Sequence, residues 1–124
     1  MTRVIIAAAL TPQTRHMIGR DALRVCKRGL HLVNVSRGPL IDDEALLEAL
    51  DDGRIARATL DVTQPEPLPA GHRFYSHPSV RLSPHLSAYT PRGFEGLSEV
   101  FIQNLERFMR GEPLHNVVDP ARGY

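Results

Sequence analysis

Arg37, Asp61, Glu66 and His85 stand on what read as three successive strand-end loops, and their types suit one reaction. Oxidising an alcohol carbon to a ketone needs a base for the hydroxyl proton while hydride leaves the carbon. Histidine, with an unperturbed pKa of roughly 6.5, takes and returns such a proton near neutral pH. A neighbouring carboxylate, Glu66, would orient the imidazole and favour its protonated form in the reduction direction. Arginine grips a carboxylate through paired hydrogen bonds and so holds the adjacent carbon for hydride transfer. Asp61, at a strand end, is placed for a cofactor contact. Each residue has a structural alternative. Arg37 could be a surface ion-pair partner, and Glu66, between Pro65 and Pro67, could solvate a loop. His85 after Pro84 could be a satisfied turn histidine, and Asp61 could cap backbone donors. Their common placement on successive loops is what favours chemistry. His16, His31, His72, His77 and His115 show no metal-ligand spacing and read as structural or solvated.

The elements that must position these residues alternate between strand and helix. Residues 4–9 are a continuous apolar run ended by Thr11-Pro12, which predicts a strand buried on both faces. A short helix follows over residues 20–28, stopped by Gly29. Residues 30–35 form a second strand, and Ser36-Arg37-Gly38-Pro39 a turn. Asp42 caps a helix over residues 42–50 whose apolar face is Ala45, Leu46, Ala49 and Leu50, with Gly53 closing it. Residues 56–62 are a third strand, 64–78 a proline-rich ordered loop, and 79–83 a fourth strand. Residues 90–109 are the longest helix, stopped by Gly111 and Pro113, and 116–118 a short extended tail. This alternation predicts an α/β fold with a parallel sheet of about four strands, whose carboxyl-end loops build the site.

Composition removes several classes. The chain has 124 residues, 42% apolar and 23% charged, which suits one globular core. Fifteen basic and 14 acidic residues leave a formal charge of +1, and the basic residues are scattered. That predicts no nucleic-acid partner and no acidic membrane surface. Apolar runs are far shorter than a membrane span, and residues 4–10 lack a cleavage site. The single cysteine, Cys26, allows no internal disulfide and reads as a small buried apolar residue; a cytoplasmic location is expected.

Four segments together resemble the D-isomer-specific 2-hydroxyacid dehydrogenases. They are Leu10-Thr11-Pro12-Gln13-Thr14-Arg15-His16, Asn34-Val35-Ser36-Arg37-Gly38, Leu60-Asp61-Val62 followed by Glu66-Pro67-Leu68, and Ser83-Pro84-His85-Leu86. Singly each is weak, whereas their order and spacing together are specific, and the similarity runs over residues 4–119. The resemblance implies that Arg37 binds the substrate carboxylate, His85 is the acid/base and Glu66 its paired carboxylate. It implies that Asp61 contacts the nicotinamide end of NAD or NADP, with Val35, Ser36, Arg37, His85 and Ala88 lining the cofactor. Thr63 stands where the family often has an aromatic, and Ala9 where it often has proline. The surroundings of Glu66 resemble the glyoxylate and hydroxypyruvate reductase branch.

The family's cofactor domain opens with a strand, a Gly-x-Gly-x-x-Gly turn and a helix that holds the pyrophosphate, and no such run occurs here. The resemblance therefore implies the second half of a doubly wound Rossmann-type domain over residues 1–115, with a tail at 116–124. The glycine-rich half and the substrate domain would lie outside it; Met1 leading straight into a strand fits an artificial start. Such a piece would have little activity alone. It would present the first strand as an apolar edge that pairs with another copy. A non-catalytic, co-repressor-like module of the same fold is the alternative reading.

Overall fold

The computed structural model describes residues 2–122, so the last two residues of the anticipated tail lie outside the described residues. The chain divides into two compact units, residues 1–85 and 86–124. The first contains a four-stranded parallel sheet in the order β1 (Arg3–Ile6), β2 (Leu30–Asn34), β3 (Ile55–Leu60), β4 (Val80–Leu82). Between the strands come α1 (Arg20–Val25), α2 (Asp43–Asp51) and the short α3 (Arg73–Ser76). The second unit contains α4 (Pro91–Met109).

The period-2 burial of β2 shows how the sheet is used. Leu30, Leu32 and Asn34 are buried, whereas His31 and Val33 between them are half-buried. The buried face continues through Ala58, Leu60 and Val80, and packs on Leu23 of α1 and on Ala45, Leu46, Leu47, Ala49 and Leu50 of α2. Asp42 caps α2 by accepting the Ala45 N–H at 3.0 Å, as its side-chain type predicts. On the same helix, burial and its acidic neighbour Asp42 push the Asp43 carboxyl up to about 6, against the opposing charge of His72.

Several boundaries differ from the sequence reading. β1 is Arg3–Ile6 rather than residues 4–9, and it is not buried on both faces: its first three residues are exposed, Ile5 by 63%. Among the described residues it is an edge strand, with a partner on one side only. Side-chain hydroxyls then divert the backbone beyond it: Ser36 Oγ donates to the Ala8 carbonyl, and Thr14 Oγ1 to that of Ala9 at 2.8 Å. α1 stops at Val25, short of residue 28. β3 and β4 are shifted or trimmed to Ile55–Leu60 and Val80–Leu82. The loop over residues 64–78 contains the unanticipated helical turn α3, capped by His72 Nδ1 accepting the Phe74 N–H at 3.2 Å, with Phe74 buried. Cys26 is half-buried rather than buried and lies at the margin of the core, its Sγ–H donating to Leu23 O at 3.1 Å.

In the second unit, Thr90 accepts the Gly93 N–H at 3.0 Å and caps α4, while Pro91 fills the first turn. Phe94, Leu97, Phe101, Leu105 and Phe108 of this helix are all exposed.

Candidate active site

Past the ends of the strands the parallel ladder continues for one more residue. The Asp61 N–H donates to the Asn34 carbonyl, and the His85 N–H donates to the Asp61 carbonyl, each at 2.9 Å. Three loops are thereby tied side by side at the carboxyl edge of the sheet, where an open parallel sheet builds its site.

His85 and Glu66 meet directly, with Nδ1 2.9 Å from Oε2 and the two side chains 45% and 38% exposed. The other Glu66 oxygen accepts the Thr63 N–H at 2.8 Å. That backbone hydrogen bond is the chief reason the Glu66 carboxyl sits below its ordinary range; His85 and the Arg37 guanidinium act in the same direction, and partial burial opposes them. His85 itself has φ of 55°, a left-handed backbone that turns its side chain out of the strand direction.

Asp61 is 5% exposed and accepts the Ser83 hydroxyl at 2.5 Å. Asp61, Glu66 and His85 line one cavity of about 360 Å³, whose apolar wall includes Leu68, Tyr75 and Leu82. Arg37 is exposed and extended, and its Nη1 donates to the Ser36 carbonyl at 2.7 Å. Its charge reaches Glu66, although it is not among the residues lining the cavity. Val35 is exposed beside it. Ser36 spends its hydroxyl on the Ala8 carbonyl. Ala88 belongs to the second unit, where its carbonyl accepts the Thr90 N–H at 2.9 Å.

Residues not singled out from the sequence complete the arrangement. Thr63 supplies the Glu66 donor, Ser83 holds Asp61, and Asn34 holds the Arg37 loop. Gly38 does something the turn pattern does not reveal: a Cβ there would lie 2.1 Å from the Thr63 carbonyl oxygen. The Arg37 and Glu66 loops touch backbone to backbone at this point, with no room for a methyl group. Gly38→Ala is expected to destabilise the fold by about 1–3 kcal/mol, as overpacking does, measured by denaturant unfolding. An unchanged midpoint would mean the two loops part freely.

Residues 2–87 match the model of the D-isomer specific 2-hydroxyacid dehydrogenase NAD-binding domain. The chain is 39% identical over 109 residues to a glyoxylate reductase of Thermofilum pendens, covering 88% of this chain and 32% of that protein. It is 38% identical over 117 residues to a glyoxylate/hydroxypyruvate reductase B of Serratia proteamaculans, covering 94% and 36%. It thus spans about a third of the length of these curated relatives. A D-isomer specific 2-hydroxyacid dehydrogenase from Xanthobacter autotrophicus Py2, solved with NADPH and MES, superposes with a TM-score of 0.87 at 41% identity, over 98% of this chain and 50% of that one. An NADPH-dependent glyoxylate/hydroxypyruvate reductase from Sinorhizobium meliloti, solved with NADP and sulfate, gives 0.88 at 31% identity, over 98% and 40%. The family match covers more than half the chain, so this protein belongs to the D-isomer specific 2-hydroxyacid dehydrogenases, as part of their NAD-binding domain.

Proposed function

We propose that the protein carrying this chain interconverts a short 2-oxo acid and its D-2-hydroxy acid, with a nicotinamide cofactor. The observation that carries the reading is the 2.9 Å contact between His85 and Glu66 on the wall of the cavity that also contains Asp61.

The residues present fit the nicotinamide end of such a cofactor. Asp61 is a buried acceptor at the cavity wall, matched to the amino group of a carboxamide. Val35, Ser36, Arg37 and His85 are proposed to line the rest of that end. When bound, the cofactor supplies or accepts the hydride. Arg37 holds the substrate carboxylate, which presents the neighbouring carbonyl carbon. His85 gives a proton to the carbonyl oxygen in reduction and takes it back in oxidation. Glu66, bound at Nδ1, orients the ring and leaves Nε2 for that transfer.

Glyoxylate and hydroxypyruvate are the substrates to try first, since the relatives carry those names. NADH and NADPH oxidation by the full-length protein over a panel of 2-oxo acids tests the proposal. Cofactor binding without turnover of any of them would point instead to a regulatory module.

The low-lying Glu66 carboxyl sets a pH dependence with a definite sign. An acid whose folded value is depressed contributes stability that is complete above its ordinary value of 4.5 and is lost as pH falls through the folded value. The thermal midpoint of the native protein should therefore exceed that of Glu66→Gln by a small margin at pH 5. The margin should vanish in stronger acid; one that grew there would reverse the assignment. The same variant should lower kcat on the order of 10²-fold, by loosening the imidazole.

For this chain on its own we also propose a homo-oligomer joined at β1, because among the described residues that strand is an edge with Ile5 63% and Val4 39% exposed. A monomer at high concentration in sedimentation analysis would overturn this. Among the described residues no helix is long and apolar enough to cross a membrane, and the proposed location is the cytoplasm.

A further inference from the structure

β2 ends on a polar side chain that has no part in proton or hydride transfer. Asn34 is completely buried, at the end of a strand whose other buried positions are leucines. Its carboxamide is used at both ends by the loop that follows. Nδ2 donates to the Arg37 carbonyl at 2.9 Å, and Oδ1 accepts the Ser36 N–H at 3.0 Å. Its backbone carbonyl accepts the Asp61 N–H. One residue thus joins the peptide that carries Arg37 to the residue that walls the cavity.

We infer that Asn34 is a positioning residue, which fixes the extended peptide at Arg37 and so aims the guanidinium at the substrate carboxylate. The chemistry of this double hold is restrictive. The side chain must donate and accept at once, within a short reach and without charge. Ionised aspartate keeps the acceptor for Ser36 and faces the Arg37 carbonyl with no donor. Leucine offers neither group, and glutamine is a methylene too long. Arg37 needs such a hold because it is exposed and extended, with φ −143° and ψ 140°, and among the described residues its Nη1 bonds the adjacent Ser36 carbonyl alone. A long side chain on a loose peptide would sweep many positions, and a carboxylate clamp loses rate steeply with misplacement. Gly38 holds the far side of the same loop against Thr63. Asn34 and Gly38 together hold the loop's backbone from both sides.

The inference rests on the proposed role of Arg37, and a double-mutant cycle in the full-length protein tests the two separately. With glyoxylate as the varied substrate, Asn34→Asp is expected to raise KM at least tenfold, while KM for the nicotinamide cofactor changes less than threefold. In an Arg37→Ala background, Asn34→Asp should alter kcat/KM less than threefold, because it acts through a side chain already gone. A structural Asn34 would cost the same in both backgrounds, which would overturn the inference. If Arg37→Ala alone leaves kcat/KM unchanged, the role of Arg37 fails and the inference falls with it. If Arg37→Ala is damaging and Asn34→Asp leaves KM for glyoxylate alone, only the inference fails. Should Asn34→Asp not fold, hydrogen exchange of the Ser36 amide in the unaltered protein gives the answer. Exchange slowed at least 10³-fold against a free peptide supports the clamp, and exchange at the free-peptide rate refutes it.

Discussion

Replacing His85 with glutamine is expected to lower kcat of the full-length protein by about 10²–10⁴-fold, the contribution of a positioned general acid/base, with KM for the 2-oxo acid changed only a few-fold. Glutamine keeps a polar amide at about the reach of Nε2 but neither gains nor loses a proton at working pH. The Glu66 bond at Nδ1 makes the expectation specific to one atom, because it leaves Nε2 to face the reacting oxygen. The effect should fall on kcat and kcat/KM alike, as it does when an interaction belongs to the transition state. Thermal unfolding should show little change, since the His85–Glu66 pair is exposed and such pairs add little stability. A variant that folded normally and turned over at the native rate would remove His85 from the reaction.

Arg37→Ala should strike binding and rate together. A carboxylate held by a guanidinium accepts two parallel, charge-assisted hydrogen bonds, and leaving it unpaired in a closed site costs about 3–5 kcal/mol. That corresponds to a loss of about 10²–10³-fold or more in kcat/KM, with KM for the 2-oxo acid rising and KM for the cofactor nearly unchanged. Arg37→Lys should recover little, because an ammonium is a point charge and cannot reproduce the planar fork. Steady-state kinetics with glyoxylate measures both variants. Equal kcat/KM for native, Ala and Lys forms would send Arg37 back to the solvent-exposed surface.

The sheet was readable from the sequence because it leaves a local trace, and the pairing of Glu66 with His85 because both fall on strand-end loops and match the family resemblance. Leu32, Ala58, Leu60 and the apolar stripe of α2 mark buried positions at their own periods, and Asp42 announces its helix by side-chain type. Burial of β1 on both faces was misread for a physical reason. A run of apolar letters reports that a strand is hydrophobic, not how many neighbours it has; the edge itself was expected only from the resemblance, and Ile5 is exposed there. α3 escaped because a single turn has no periodicity, and its cap is a histidine ring rather than a hydroxyl or carboxylate.

The supporting residues were harder to see, since their partners are distant in the chain. Thr63 acts through its backbone N–H, which no side-chain pattern betrays. Gly38 sits in a segment that reads as a turn, yet its requirement is space against Thr63 rather than an unusual dihedral. Asn34 left one clue, a polar residue at a buried position of an otherwise apolar strand face. The backbone sign of φ at His85 left none.

That positive φ puts durability and chemistry in opposition at one position. Glycine adopts a left-handed backbone without steric penalty, and histidine does so only at some cost. Variants screened for heat resistance alone are expected to drift toward glycine at residue 85 and, under the role proposed for His85, to emerge robust and inert.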